Sequence, residues 1–332
     1  MVAPRFGTFS IVAYDRELSA WGVAVQSKFI SVGSVVPFAE VGVGAIATQA
    51  MANVAYGPEG LALLREGRPA EEVVRKLVGS DAGREDRQLG IVDTQGRSAA
   101  FTGKKCLTWA GHATGDGFTC QGNILFGPAV VEAMARSYEA TPGDLLDRLL
   151  AALSAGQREG GDRRGMQSAA LLAVRRGAGY GETDRWVDLR VDDHSSPIEE
   201  LKRIFQLYDL TMLSREDPAT RRRIEGDVAV ALQHDLSVLG YYSGRLTGAW
   251  DPPSRAAFAR FIGEHNFEAK QSEDGTVWPS VLAYLRERAA AETERRTRTA
   301  PVVTGALDRG PGAAPGGGAP SEPAPKRHRR PS

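Results

Sequence analysis

The chain has 332 residues, with 41 basic and 41 acidic side chains and an apolar share of 42%. That length predicts about two soluble domains, and a formal net charge of zero excludes a whole-chain electrostatic device for nucleic acid or membrane surfaces. No apolar run reaches the roughly 18 to 20 residues of a membrane-spanning helix, and two cysteines, Cys106 and Cys120, make neither a disulfide scaffold nor a four-ligand zinc site.

In chain order, FSIVAYD (9–15) and SAWGVAVQS (19–27) are β-rich runs joined by a short charged turn, which predicts a hairpin. VGVGAIATQ (41–49) is a third strand, almost without charge and so buried on both faces. Two helices follow, YGPEGLALLREG and RPAEEVVRKLVG, each with Pro and Glu in its opening turn. RQLGIVDTQGRSAAFTG reads as a second hairpin turning at Thr94-Gln95-Gly96, and GFTCQGNIL as a strand running into a loop. Helices are expected at about 127–139 and 143–157, the second with Leu145, Leu149 and Leu153 on one stripe. SAALLAVRR and DRWVDLRVD are the last strands, and IEELKRIFQLY is a closing helix behind Ser196-Pro197.

Sheets and helices thus come in blocks, which indicates an α+β fold with mostly antiparallel pairing. A four-layer αββα sandwich, two packed sheets with helices outside both, would use every segment. Beyond residues 1–210, TMLSREDPATRRR (211–223) reads as a charged linker, and a small helical unit is expected at 224–289. Residues 290–332 read as a disordered Pro/Gly-rich basic tail: positions 291–332 hold eight Lys/Arg, four Asp/Glu, seven Pro and six Gly, ending in KRHRR.

GVGAIA (Gly42–Ala47) matches a relaxed dinucleotide fingerprint, but it lies inside a strand and lacks the acidic residue about 20 positions on. Close packing is the reading of its glycines. The histidines at 112, 194, 234, 265 and 328 show no metal-ligand spacing, so neither metal nor cofactor is expected. Cys106 and His112 leave a thiol nucleophile open, against an ordinary strand cysteine. At the start, Gly7-Thr8 precedes the first strand. A free N-terminal Thr carries nucleophile and base on one residue, because its α-amine can take the hydroxyl proton. Seven residues block that amine, and by position alone Thr8 reads as a small residue opening a strand.

TFSIVAYD, WGVAVQSKF, VGSVVPFAEVGVGAIATQA, YGPEGLALL, WAGHATG, QGN, GGDRRGMQSAALL and VDLRVDDH, in that order over residues 8 to about 210, closely resemble the bacterial family called domain of unknown function 1028. That family is grouped with the N-terminal-nucleophile (Ntn) hydrolases, so the resemblance implies a four-layer αββα sandwich and hydrolysis of an amide bond by an N-terminal Thr, Ser or Cys. Family members commonly carry Met directly before the TFS motif, whereas here VAPRFG intervenes; cleavage at Gly7-Thr8, another start or a dormant site each accommodates that departure. Carried over by position, Thr8 is the nucleophile, Lys28 a charge that lowers its pKa and Asn123 an oxyanion donor, with Ser27, Thr48, Gln49, Asn53, Asp162, Asp192 and Asp193 as pocket candidates. Thr48, Gln49 and Asn53 equally cap the next helix, and Lys28 is equally an ordinary strand-end lysine.

LQHDLSVLGYYSGRLTGAWDPPSRAAFARFIGEHNFE resembles a small peptidoglycan-binding-type module. Tyr241, Tyr242 and Trp250 could stack on sugar rings or form the core of a small bundle. The functional expectation is an Ntn-type amidohydrolase of a small amide or peptide-like substrate, fused to a recognition module. The alternative is a non-catalytic Ntn-like scaffold whose Thr8 is never freed. Expected partners are the amide, a glycan or peptidoglycan fragment and a second copy of the chain, with no membrane and no nucleic acid. The opening MVAPRFGTFSIVAYDRE has no signal-peptide core, which predicts a cytoplasmic location.

Overall fold

The computed structural model describes residues 7–213, 215–271 and 273–299. The first unit begins with a hairpin, β1 (Thr8–Asp15) and β2 (Ala20–Ser27), followed by β3 (Pro37–Glu40) and β4 (Gly44–Ala50). Helices α1 (Tyr56–Arg65) and α2 (Ala70–Ser80) lead to strands β5 (Arg87–Asp93), β6 (Ser98–Thr102), β7 (Gly111–Gly115) and β8 (Phe118–Asn123). After α3 (Ala129–Ala140) and α4 (Leu145–Arg158) come β9 (Ser168–Val174), β10 (Arg185–Val191) and α5 (Pro197–Met212). The mixed α+β class expected from the blocks is what the chain forms. Two short strands escape the sequence pattern. β3 has only four residues and opens on a proline, and β7 is GHATG, too small and polar to alternate.

Ten of these strands make two antiparallel sheets, ordered β10-β9-β2-β1-β8-β7 and β3-β4-β5-β6. Period-two alternation assigns their faces. On β1, Phe9, Ile11 and Ala13 join a core with Leu145, Leu149 and Leu153 of α4 and Met134 of α3, to which Leu201 and Phe205 of α5 also belong. On β4 and β5, Ile46, Leu89 and Ile91 pack with Leu64 of α1 and Val73 and Leu77 of α2. The opposite faces of the two sheets meet each other through Val12, Val23, Val25, Ala45, Ala47 and Val92, with β1 over β4 and β5 over β8.

Toward the Thr8 end this apolar layer gives way to fully buried polar side chains, Ser10, Gln49, Gln88, Thr119 and Gln121. They bond head to tail. Thr119 donates to Gln121 Oε1 at 3.0 Å, Gln121 Nε2 to Ser10 Oγ at 2.6 Å, and Ser10 Oγ to Gln49 Oε1 at 2.6 Å. Gln49 Nε2 then donates to Gln88 Oε1 at 2.9 Å, and Gln88 Nε2 to the Gly122 carbonyl at 2.8 Å. A buried amide without partners destabilises the fold; in this network the inter-sheet bonds hold the two sheets in one register.

The glycines of the relaxed fingerprint have separate duties. Gly42 takes φ +71° in the turn before β4, and a Cβ at Gly44 would stand 2.6 Å from the Val92 carbonyl and 2.8 Å from a Leu64 methyl. No helix opens directly after them, since α1 starts only at Tyr56.

The second unit comprises α6 (Gly226–Val238), α7 (Pro252–Glu264), α8 (Pro279–Thr299) and a minimal hairpin, β11 (Arg222–Arg223) with β12 (Thr276–Val277). Leu232, Leu236, Phe258, Phe261, Phe267 and Leu285 fill its core. Because α8 continues to Thr299, residues 290–299 are helical rather than the start of a disordered tail. Glu292 pairs with Arg295 and Arg296 one turn on, and the first proline after them is Pro301. The rest of that tail, with KRHRR, lies outside the described residues. The charged stretch read as a linker is anchored by two of its side chains. Arg215 bonds Asp144, Asp147 and Asp209, and Glu216 takes Lys270 at 2.7 Å. No described helix is long and apolar enough to cross a membrane.

The two sheets approach closely at Gly90, where a Cβ would stand 2.2 Å from Gln121 Oε1 and 2.7 Å from Thr119 Cγ2. Gly90→Ala should therefore cost about 1–3 kcal/mol by urea denaturation. Gly79→Ala in α2, where a Cβ meets nothing within 4 Å, should be neutral or stabilise by up to about 1 kcal/mol.

Candidate functional site

The hydrogen-bonded amides border the first residue of β1. Thr8 faces Ser27 of β2 on one side and Asn123 of β8 on the other, each in direct register. All three are buried. Thr8 Oγ1 lies 3.0 Å from Ser27 Oγ, and Ser27 Oγ donates to the Gly7 carbonyl at 2.5 Å. A serine hydroxyl has one hydrogen, so with that hydrogen on Gly7 the Thr8 hydroxyl must donate to Ser27. The Gly7 carbonyl accepts a second, charged donor, Arg164 Nη2, at 2.8 Å.

Arg164 is held by Asp162. The buried carboxylate takes Arg164 Nε at 3.0 Å and Nη2 at 2.6 Å, and it also accepts the backbone N–H of Lys28 at 3.1 Å. This fork-to-fork pairing fixes the guanidinium plane. Asp162 and Arg164 stand in a loop flanked by Gly160, Gly161 and Gly165, all at positive φ, and a Cβ on Gly7 would meet both Asp162 oxygens at 2.8 Å. Arg164 is the residue that sequence reading passed over. Its signal was an Asp-x-Arg between glycines, a spacing that lets one carboxylate accept both the backbone N–H and the guanidinium two residues on.

The other expected residues separate into two groups. Gln49 joins the site: its Nε2 reaches toward the Thr8 carbonyl at 3.5 Å. Asn123 gives an amide hydrogen to Gln88 Oε1 at 3.0 Å. Lys28 sends its ammonium to the Met166 carbonyl instead, at 3.2 Å. Thr48 donates to the Asn53 carbonyl, and Asn53 bonds Asp81 and the Ala55 N–H, so this pair braces the entry to α1. Asp192 and Asp193 are exposed, the latter accepting from Gln167; they serve the end of β10. The thiol alternative does not hold. Burial pushes Cys106 up to about 11, its sulfur donates to the Arg87 carbonyl, and His112 bonds Thr102. Among the described residues no cluster of His, Cys, Asp or Glu is arranged to hold a metal ion.

A cavity of about 210 Å³ opens beside Thr8, lined by Phe29, Val32, Val35 and Val36 from the loop after β2 and by Gln49, Ala50, Met51, Ala52 and Arg87. Asp81 holds Arg87 in place, accepting its Nε at 3.0 Å, the Tyr56 hydroxyl at 2.8 Å and the Gly83 N–H at 2.7 Å.

In the second unit Tyr242 is 6% exposed and bonds the Arg245 carbonyl, which makes it a core residue and not a sugar platform. Tyr241 and Trp250 are partly exposed, packed edge-on against Phe261 and Phe258. Gln233 clamps the turn before Trp250, accepting from Thr247 and Gly248 and donating to Ala249.

Fold and site together define an α+β protein of paired antiparallel sheets, with a buried hydroxyl pair at a strand start beside an apolar cavity. The model described as "Family of unknown function (DUF1028)" matches residues 8–201, and the chain belongs to that family. A second model, "Putative peptidoglycan binding domain", matches residues 211–285. A crystal structure of a DUF1028 protein from Silicibacter pomeroyi is 32% identical, covers 68% of this chain and 89% of its own, and superposes with a TM-score of 0.57. No curated protein matches the chain.

The Asp81 cluster carries a pH dependence. Burial alone would raise its carboxyl, but the bonds from Arg87, Tyr56 and Gly83 hold it down at about 2. A carboxylate whose pKa falls on folding stabilises above its unfolded value near 4, and that stability is lost as pH drops through about 2. The stability gap between the native chain and Asp81→Asn should thus be about 1–2 kcal/mol at pH 7 and should close between pH 4 and 2 in urea titrations.

Proposed function

We propose that the chain is an Ntn-type amidohydrolase of four-layer αββα architecture, with Thr8 as nucleophile once residues 1–7 are removed. One observation carries this reading: the Gly7 carbonyl accepts both Ser27 Oγ and Arg164 Nη2, while the Thr8 hydroxyl donates to that same serine. Attack of Thr8 Oγ on the Gly7 carbon sends the hydroxyl proton through Ser27 toward the oxygen that gains charge, and Arg164 stabilises what charge remains there. As the C=O reforms, that proton passes on to the departing nitrogen and the C–N bond breaks, leaving an ester on Thr8 and a free α-amine; water then releases residues 1–7 with a Gly7 carboxylate. The family match beginning at residue 8 supports the same boundary.

In the freed site the Thr8 amine is the general base, with a pKa near 8 in the absence of neighbours. Arg164 takes the electrostatic part first assigned to Lys28. Asn123, the register partner of Thr8, has a second amide hydrogen beyond the one given to Gln88, and in this reading it is the oxyanion donor. The C-terminal unit would recognise a glycan or peptidoglycan fragment through Tyr241 and Trp250, a reading supported by its family match over 211–285. Cytoplasmic residence belongs to the same proposal.

Intact mass and N-terminal sequencing test the first step. The native chain should begin at Thr8, Thr8→Ala should keep residues 1–7, and Ser27→Ala should process about a hundredfold more slowly. If native protein keeps the extension, and a chain started at Met followed by Thr8 hydrolyses no amide, the non-catalytic scaffold is the correct reading.

A further inference from the structure

The cavity beside Thr8 narrows the substrate class, an inference that rests on Thr8 being the reacting hydroxyl. Seven of its ten lining residues are apolar: Phe29, three valines of the following loop, and Ala50, Met51 and Ala52. The polar lining residues are Thr8, Gln49 and Arg87, and each is already engaged. Gln49 spends its amide on Ser10, Gln88 and Thr8. Arg87 is the one charged residue in the lining; its Nε is on Asp81 at 3.0 Å and its Nη1 on the Met51 carbonyl. Paired with Asp81, it presents no uncompensated charge to a ligand.

The volume sets a second limit. At about 210 Å³ the cavity exceeds the roughly 150 Å³ apolar cavity that accepts benzene. A charged group placed there would lose part of its hydration beside a cation already paired with Asp81, whereas each methylene leaving water gains about fourfold in affinity. We infer that the substrate amide carries, next to the scissile bond, an uncharged apolar group of roughly six to eight carbon atoms, seated between the Val32–Val36 loop and the Ala50–Ala52 turn.

Binding can be read without turnover. In Thr8→Ala protein, prepared with and without residues 1–7, linear primary amides from acetamide to decanamide are titrated by calorimetry. Amides bearing a terminal carboxylate or ammonium on the same chain lengths serve as comparison. Affinity should rise about threefold to fourfold per methylene and level off near six to eight carbons, with the charged series at least tenfold weaker. Ala52→Phe, at a half-buried lining position, should abolish the chain-length gain while the unfolding midpoint holds. Val35→Phe gives a second filled pocket should that variant fold poorly. A flat series in both forms, equal or tighter binding of charged amides, or an undiminished gain in the folded variants would overturn the inference. Because these titrations use protein without the Thr8 hydroxyl, a failure of self-cleavage in the mass experiment is a separate result.

Discussion

The chain of amide hydrogen bonds between the two sheets is the constraint from which the rest follows. It starts at Thr119, passes through Gln121, Ser10, Gln49 and Gln88, and ends on the Gly122 carbonyl. It therefore leaves the six-stranded sheet, crosses to the four-stranded one and returns. Every member donates in the same sense, so each bond polarises the next. Slipping any one of these strands by one residue against its neighbours would turn its polar groups toward the helices and bring Leu or Ile between the sheets. The polar chain thus specifies register where the surrounding Val and Ala contacts, being non-directional, would tolerate a slip.

Because Thr8 and Ser10 share a face of β1, fixing Ser10 fixes Thr8. The inter-sheet layer is graded: small apolar contacts at Val12, Val23 and Ala45, then amides, then the hydroxyls of Thr8 and Ser27. A hydroxyl pair at the end of such a layer sits in low dielectric with defined partners, which is the setting in which a hydrogen-bond donor acts most strongly on a developing charge. Gly90 permits the close approach and Arg164 supplies the cation. Neither is an apolar periodic position, and neither would stand out in a pattern search.

This explains what could be read from residues alone. The β1–β2 hairpin, the paired helices and the final strand pair follow from alternation and capping, which are local. Thr8, Ser27, Gln49 and Asn123 meet because three of them occupy aligned positions on adjacent strands and the fourth lies one residue before the end of the facing strand. Lys28, Asn53, Asp192 and Asp193 were assigned by nearness in sequence to strand ends, and nearness says nothing about which way a side chain turns. Lys28 follows the inward-facing Ser27 by one residue, so β alternation already sends it elsewhere. Arg164 arrives from a loop more than 150 positions away, placed by glycine-permitted turns that no periodicity encodes. In the second unit the aromatic motif had two readings; bundle size decides for Tyr242, since a unit this small needs its rings for a core.

Under the proposed cleavage, the hydroxyl pair would change its sense once Gly7 is gone. With Gly7 attached, the single Ser27 hydrogen is committed to the Gly7 carbonyl, and Thr8 is forced to be the donor. Removing Gly7 takes away that acceptor. In a buried site a hydroxyl hydrogen must find another, and Thr8 Oγ1 is within reach, 3.0 Å away. Ser27 would then turn from acceptor to donor toward the nucleophile, orienting its oxygen and leaving the Thr8 hydrogen to the new α-amine. One serine would in this way direct the proton outward during cleavage and hold the hydroxyl afterwards. The switch needs no movement of backbone, only the rotation of two hydroxyls whose positions the flanking strands already hold.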